Sequence, residues 1–272
     1  MGVQDFFGLV EGTPISLSEL SGSRIAVDGY TEIYRAGCSS LALKFTDKEG
    51  NPTGHIKFLL SKLVMLRKNN IELVFVMDGK PPIEKEAELK KRADMYAAKS
   101  ASNKQFFKVT RKVREDVELL LKLLGVNVVQ TPDGYDAEHI CALMNKRGEV
   151  DHVLTTDADA FAYGAISVVR GMKGGKYELY ERQQYIDLFN GDHIIEASVA
   201  LGSDFCKKIR GIGPKTLLKR INNLKFEDCH EVAMSVFRRD VEYNVIHNEG
   251  DHDELRSHLS NLGFNMDKLK IV

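Results

Sequence analysis

Apolar positions along the first two thirds of the chain switch between a strand period and a helix period. Arg24–Val27 is a short β-branched run that ends at Asp28, and it reads as a buried strand. From residue 54 to 67, Ile56, Leu59, Leu60, Leu63, Val64 and Leu66 recur at helical spacing until Asn69-Asn70 breaks the pattern. Ile71–Met77 is a second strand. The Asp78-Gly79-Lys80-Pro81-Pro82 run after it must leave the sheet, because proline has no N–H for a ladder. Residues 84–99 are charged and rich in helix formers, which predicts a helix with little apolar face. Ser100-Ala101-Ser102-Asn103 reads as a flexible connection. A helix over Val109–Leu124 turns Val113, Val117, Leu120, Leu121 and Leu124 inward and stops at Gly125.

Val126–Val129 reads as a strand, Thr131-Pro132-Asp133-Gly134 as a turn, Asp136–Lys146 as a helix and Val153–Thr156 as a further strand. Ile166–Val169 and Tyr177–Tyr180 flank Lys173-Gly174-Gly175-Lys176, the pattern of a hairpin. Beyond about Asn190 the pattern is helical, with helices expected at 192–202 and 214–222. Alternating β and α followed by helices predicts an α/β fold with a central, mostly parallel sheet. The expected division is an α/β core over 1–190, carrying a charged segment at about 80–112, and a helical region over 191–272.

Composition narrows the class. The 272 residues suffice for a sizeable core, and the hydrophobic and charged fractions, 43% and 28%, are those of a globular protein. No apolar run is long enough for a membrane span, and the start lacks a secretory-signal pattern, so an intracellular protein is expected, with nucleus and cytoplasm not distinguished. Cys38, Cys141, Cys206 and Cys229 are far apart with no Cys-x-x-Cys pair, which argues against zinc ligation or a disulfide framework. The formal net charge is −1, but its distribution is uneven. Phe205–Lys225 holds Lys207, Lys208, Arg210, Lys215, Lys219, Arg220 and Lys225 and no acid.

Seven carboxylates occupy positions that a parallel sheet brings together. Asp28, Asp78 and Asp157 follow short strand-like runs, and the carboxyl ends of neighbouring strands face one crevice. Asp136, Glu138, Asp159 and Asp204 complete the set. Asp157 and Asp159 share a face if the chain is extended there; the competing reading is a helix cap. Asp136 and Glu138 reach one site only if Asp136 is at a helix cap, and Asp133 competes for its role. Clustered carboxylates repel, so such a pocket requires cations, and hard oxygen donors suit Mg²⁺ or Mn²⁺. Lys85 and Arg92, seven apart on a helical face, point to phosphate; a solvated face is the plain alternative. Gly211-Ile212-Gly213-Pro214-Lys215 has the glycines and flanking lysines of a phosphate-gripping turn, against the plain reading of a tight helix–helix turn. Tyr34, soon after Asp28, is suited to base stacking or to the core.

Together these segments resemble the flap endonuclease/XPG family of structure-specific 5′ nucleases. Met1-Gly2-Val3 is similar to the family's start, Ile25-Ala26-Val27-Asp28 to its first acidic strand, and Val76–Pro82 to its hallmark loop. Asp136-Ala137-Glu138, Thr156-Asp157-Ala158-Asp159 and Leu201–Cys206 resemble the remaining acidic motifs. The resemblance implies a PIN-like, Rossmann-like sheet with a helical arch and a helix–two-turn–helix at Ile209–Lys215. It implies two Mg²⁺ ions (Mn²⁺ substituting) held by the seven acids, and Lys85 and Arg92 as catalytic contacts to the cleaved phosphate. It implies DNA contacts at Gly2, Tyr34, Lys207, Lys208, Arg210, Gly211, Gly213, Lys215 and Lys219, and K⁺ at the helix–two-turn–helix.

The departures are a shorter acid, Asp136, where the family usually has Glu, Gly29-Tyr30 after the first Asp, and a shorter stretch between Asp78 and Asp136. The chain also ends at Lys270-Ile271-Val272 with no sliding-clamp motif and no basic tail, which fits a minimal, viral version. The expected function is cleavage of DNA near single-strand/double-strand junctions such as 5′ flaps, in replication, repair or recombination. The expected partner is branched or flapped duplex DNA, with no membrane, and the protein is expected to be a monomer in solution. Alternatives of the same chemistry are a Holliday-junction resolvase, a 5′-3′ exonuclease or an RNA hydrolase. An alternative of another class is a non-catalytic DNA-binding scaffold.

Overall fold

The structure is a computed structural model that describes residues 5–39, 41–101, 107–171 and 175–265. Its centre is an eight-stranded sheet of order β1-β7-β6-β5-β2-β3-β4-β8. The strands are β1 (Thr13–Ile15), β2 (Arg24–Asp28), β3 (Glu72–Met77), β4 (Asn127–Gln130), β5 (His152–Leu154), β6 (Ser167–Gly171), β7 (Tyr177–Glu181) and β8 (Val245–Ile246). The five central strands, β6 to β4, are parallel, while β7, β1 and β8 add antiparallel edges. The α/β, mostly parallel sheet expected from the sequence is therefore the observed fold, flanked by helices.

Side-chain alternation along the strands builds two cores. Ala26, Val74, Val76, Val129, Val153 and Val168 face one side. They pack there with α5 (Ala137–Lys146), the short α6 (Asp159–Ala162), α8 (Ile194–Leu201) and α10 (Asp228–Phe237). Ile25, Val27, Leu73, Phe75, Met77, Val128 and Leu154 face the other. Their partners are α1 (Gly29–Gly37), α2 (Gly54–Lys68), α4 (Arg111–Leu123) and α11 (His252–Asn261). Strands buried on both faces explain why their sequences read as continuous apolar runs. The remaining helices are α3 (Glu86–Ala101), α7 (Arg182–Phe189) and α9 (Pro214–Arg220).

Local differences have local causes. Among the described residues beyond Asn190, the regular elements are helices except for β8, which pairs with β4 through Val128 and Val129. A two-residue strand has no period to read, so its pattern was invisible. Ser100 and Ala101 continue α3 rather than forming a connection; Ser102 and Asn103 lie outside the described residues. So do Lys173 and Gly174 of the β6–β7 hairpin, whose strands pair as expected. Among the described residues, no helix is long and apolar enough to cross a membrane.

β2 is the strand at which the chain order reverses: it has β3 on one side and β5 on the other. That is the topological switch point at which open α/β sheets place their ligand crevice.

Candidate active site

Each acid reaches the crevice from a different strand or helix end. Asp28, the last residue of β2, also caps α1. Its Oδ1 accepts the Thr31 N–H at 3.2 Å, and its Oδ2 accepts the hydroxyls of Thr31 at 2.6 Å and Thr155 at 3.1 Å. Asp78 follows β3, and its Oδ1 accepts the Ala137 N–H at 3.0 Å, which ties the end of β3 to the start of α5. Asp136 is the cap residue of α5 with extended backbone, so it and Glu138 point to one site. Its side chain makes no capping bond, and its Oδ2 instead accepts the Tyr163 hydroxyl at 3.0 Å. Asp133 is not its rival: it pairs with Lys80 at the surface, 3.1 Å away.

The Asp157/Asp159 geometry differs from a shared strand face. β5 ends at Leu154, Ala158 is αR, and Asp159 opens α6. The tight turn holds Asp159 beside Asp157, with the Asp159 N–H donating to Asp157 Oδ1 at 3.2 Å. Asp159 is fully buried. The other six acids line one cavity of about 900 Å³ together with Lys85 and Arg92.

Lys85 sits in a 3-10 turn (Ile83–Lys85) ahead of α3, not within the helix. Its Nζ lies 2.9 Å from Asp136 Oδ2, 3.1 Å from Glu138 Oε1 and 3.2 Å from Asp204 Oδ2, with the side chain 8% exposed. Arg92, one face along on α3, donates from Nη2 to the same Asp204 oxygen at 2.7 Å and from Nε to Glu88 at 3.3 Å. The two cations thus converge on Asp204.

Charge in this pocket is unbalanced. Burial, and after it the charge of Asp78, pushes Asp28 up to about 7, against the pull of its Thr31 bonds. Burial also raises Asp78, Asp157 and, well above the usual range, Glu138. Burial disfavours charge on Lys85, yet Glu138, Asp136, Asp204 and Asp159 together hold its ammonium well above the ordinary value. The acids rise chiefly through burial and Lys85 through its carboxylate neighbours, and the seven acids outnumber Lys85 and Arg92. Seven buried or half-buried oxygen-donor side chains with Lys85 Nζ lodged among three of them are a set that fits divalent cations.

Several contacts carried no motif in the sequence. Arg114 of α4 donates to the Asp78 carbonyl at 2.6 Å, and Tyr30 stacks beside Tyr34, ring planes 6° apart, on the cavity wall with Tyr96. The i, i+4 spacing of Tyr30 and Tyr34 is the signal that would have flagged the pair. Lys207, Lys208, Arg210, Gly211, Lys215 and Lys219 are exposed around the turn into α9, where Gly211 takes φ +81° and Gly213 caps the helix. Gly2 lies outside the described residues. A second cluster of ligand-type side chains, Glu227, Cys229 and His230, lies at the start of α10, where Glu227 and His230 form the capping box, His230 Nδ1 accepting the Glu227 N–H.

The XPG N-terminal domain family matches residues 1–99, and the XPG I-region family matches residues 125–205. Flap endonuclease 1 of Methanocella arvoryzae is 30% identical over 255 residues, covering 81% of this chain and 74% of that protein. This chain belongs to the flap endonuclease/XPG family of structure-specific nucleases. Flap endonuclease 1-B of Xenopus laevis is also 30% identical over 75% of the chain, which spans only 59% of that relative's length.

Among solved structures, the flap endonuclease-1 of Methanococcus jannaschii superposes with a TM-score of 0.80 at 25% identity, covering 99% of this chain and 96% of that one. The catalytic core of Rad2 in complex with DNA substrate (TM-score 0.77, 23% identity, 98% and 97% covered) shares the fold. Human GEN1 in complex with Holliday junction DNA does so too (0.70, 23%, 97% and 74% covered).

Proposed function

We propose that this protein is a structure-specific 5′ endonuclease that hydrolyses DNA phosphodiesters at single-strand/double-strand junctions such as 5′ flaps. The observation that carries the proposal is the convergence in one cavity of six acids from distant parts of the chain with Lys85 and Arg92, the Lys85 ammonium lying within 3.2 Å of three carboxylates. Asp78, Asp136 and Glu138 would hold one divalent ion, Asp157 and Asp159 a second, with Asp28 and Asp204 acting largely through water. Bound there, two Mg²⁺ ions would neutralise phosphate charge and lower the pKa of water.

The chain's own residues do the rest. Lys85 and Arg92 meet at Asp204 on the cavity wall, placed to hold two oxygens of a phosphate and to stabilise the charge that develops on it. Thr31 and Thr155 fix the Asp28 carboxylate in one orientation, and the Ala137 N–H does the same for Asp78. Tyr34, backed by Tyr30, offers a stacking surface for an unpaired base. The exposed lysines around Gly211 and Gly213 grip duplex phosphates, with K⁺ at the same turn. The sheet core supplies most of the cleavage site, and the helical region after residue 190 supplies Asp204 to it and the duplex contacts.

The test is a panel of 5′-flap, nicked, gapped and four-way DNA in Mg²⁺, with a ribo-substituted flap alongside. Flap cleavage that disappears in Asp157→Ala supports the proposal. Unchanged cleavage in that variant removes the site assignment, and a preference for the four-way substrate makes the protein a junction resolvase. A protein that binds the panel and cuts none of it is a scaffold.

A further inference from the structure

The turn that carries Lys85 is held from a distant part of the chain. Glu84, its immediate neighbour, accepts hydrogen bonds from both terminal nitrogens of Arg239, the Nη1 bond at 3.4 Å. Arg239 follows the end of α10, 155 positions away. Its backbone carbonyl accepts the Nε2–H of His139 at 3.0 Å. The His139 ring stacks on Tyr163, with centroids 4.3 Å apart and planes 12° apart. Tyr163 donates to Asp136 Oδ2, the oxygen that lies 2.9 Å from Lys85 Nζ. These contacts close a ring: Glu84, Arg239, His139, Tyr163, Asp136, Lys85.

We infer that Arg239 is a positioning residue for Lys85. Arg239 does not line the cavity. It acts on the turn Ile83–Lys85 from behind, through a two-pronged bond that fixes both the position and the plane of the Glu84 carboxylate. A lysine offers a point charge and no such fork. The Glu84 side chain is 18% exposed. Without its partner it is a half-buried carboxylate beside a pocket already rich in them. It then turns to water and drags the turn outward, or it competes for Lys85. Both displace Nζ from the place where a phosphate would meet it.

The inference rests on the proposed role of Lys85 at the phosphate, so the experiment separates the two. Single-turnover cleavage of a 5′ flap is measured for wild type, Lys85→Ala, Arg239→Ala, Arg239→Lys and the Lys85→Ala/Arg239→Ala double variant. Substrate affinity is measured separately. Arg239→Ala is expected to slow cleavage by about tenfold to a hundredfold, as misplacement of a catalytic group does, with affinity within about twofold. Arg239→Lys should fall between. The double variant should be no slower than Lys85→Ala, because Arg239 acts through that side chain. A wild-type rate in Arg239→Ala, a loss confined to affinity, or a double variant slower by the full single-variant factor overturns the inference. Lys85→Ala cutting at the wild-type rate would instead remove the role of Lys85. The clamp keeps a readout that needs no cleavage: amide hydrogen exchange across residues 83–86 rises in Arg239→Ala or Glu84→Gln, and unchanged exchange in both sinks it.

Discussion

Replacing Lys85 by Met isolates the electrostatics of the acid pocket, because Met keeps the length of the stem and removes the charge. The ammonium lies within 3.2 Å of three carboxylates. At an effective dielectric constant of about 20, each such pair attracts by roughly 5 kcal/mol. Desolvation of the buried ammonium offsets much of that sum. What remains when one partner of a buried cluster is removed is a loss of about 3–5 kcal/mol, because uncompensated charge stays behind. In a chain of this size that is a fall in Tm of roughly 6–20 °C. Asp28, at about 7, and Glu138, which loses its ammonium partner, would relieve part of the penalty by taking up a proton, so the melt belongs at about pH 8.5, where the Asp28 route is closed. In chelator the variant should melt well below wild type. In millimolar Mg²⁺ the gap should narrow, since cations held by the same acids replace the lost charge, while flap cleavage stays about 10²–10³-fold down. Equal Tm values in chelator, or a gap that Mg²⁺ leaves unchanged, would refute the reasoning.

Further outcomes follow from single features. His55 is buried and, among the described residues, neither ring nitrogen has a hydrogen-bond partner; burial depresses its pKa to about 4. The unfolded chain takes up that proton near pH 6.5 and the folded chain does not, so stability is full above about 6.5 and is lost as pH falls toward 4, by on the order of 3 kcal/mol. His55→Leu should flatten this part of a stability-versus-pH curve measured by denaturant unfolding, and an unchanged slope counts against the assignment. Gly79 has no room for a side chain, because a Cβ would lie 2.4 Å from the Thr131 carbonyl oxygen. Gly79→Ala should cost about 1–3 kcal/mol in chemical denaturation and, by shifting Asp78, should reduce cleavage as well. Lys215→Ala and Lys219→Ala, at exposed positions, should leave Tm unchanged and each lower the slope of log affinity against log salt by about 0.9. An unaltered slope would take those lysines off the DNA.

The sequence by itself determined the six strands β2 to β7, the main helices and which acids lie next to strand ends, because period-2 and period-3.6 burial and the punctuation of Pro and Gly are local properties; the short edge strands β1 and β8 carried no such signal. Ile25–Val27 and Leu73–Met77 had to be strands whatever they packed against, and Asp28 and Asp78 had to sit at their carboxyl ends. Tertiary structure decided what those ends do. Strand order around β2 is a long-range choice, and it brings Asp157 near Asp28, while Asp133 pairs with Lys80 at the surface. The ammonium of Lys85 settled among acids 51 to 119 residues further on, Asp136 and Asp204 being the limits, and Arg239 reached back to Glu84. No spacing rule encodes such pairs: a charge finds its partner through the shape of the folded surface, and that shape exists only once the sheet has been assembled.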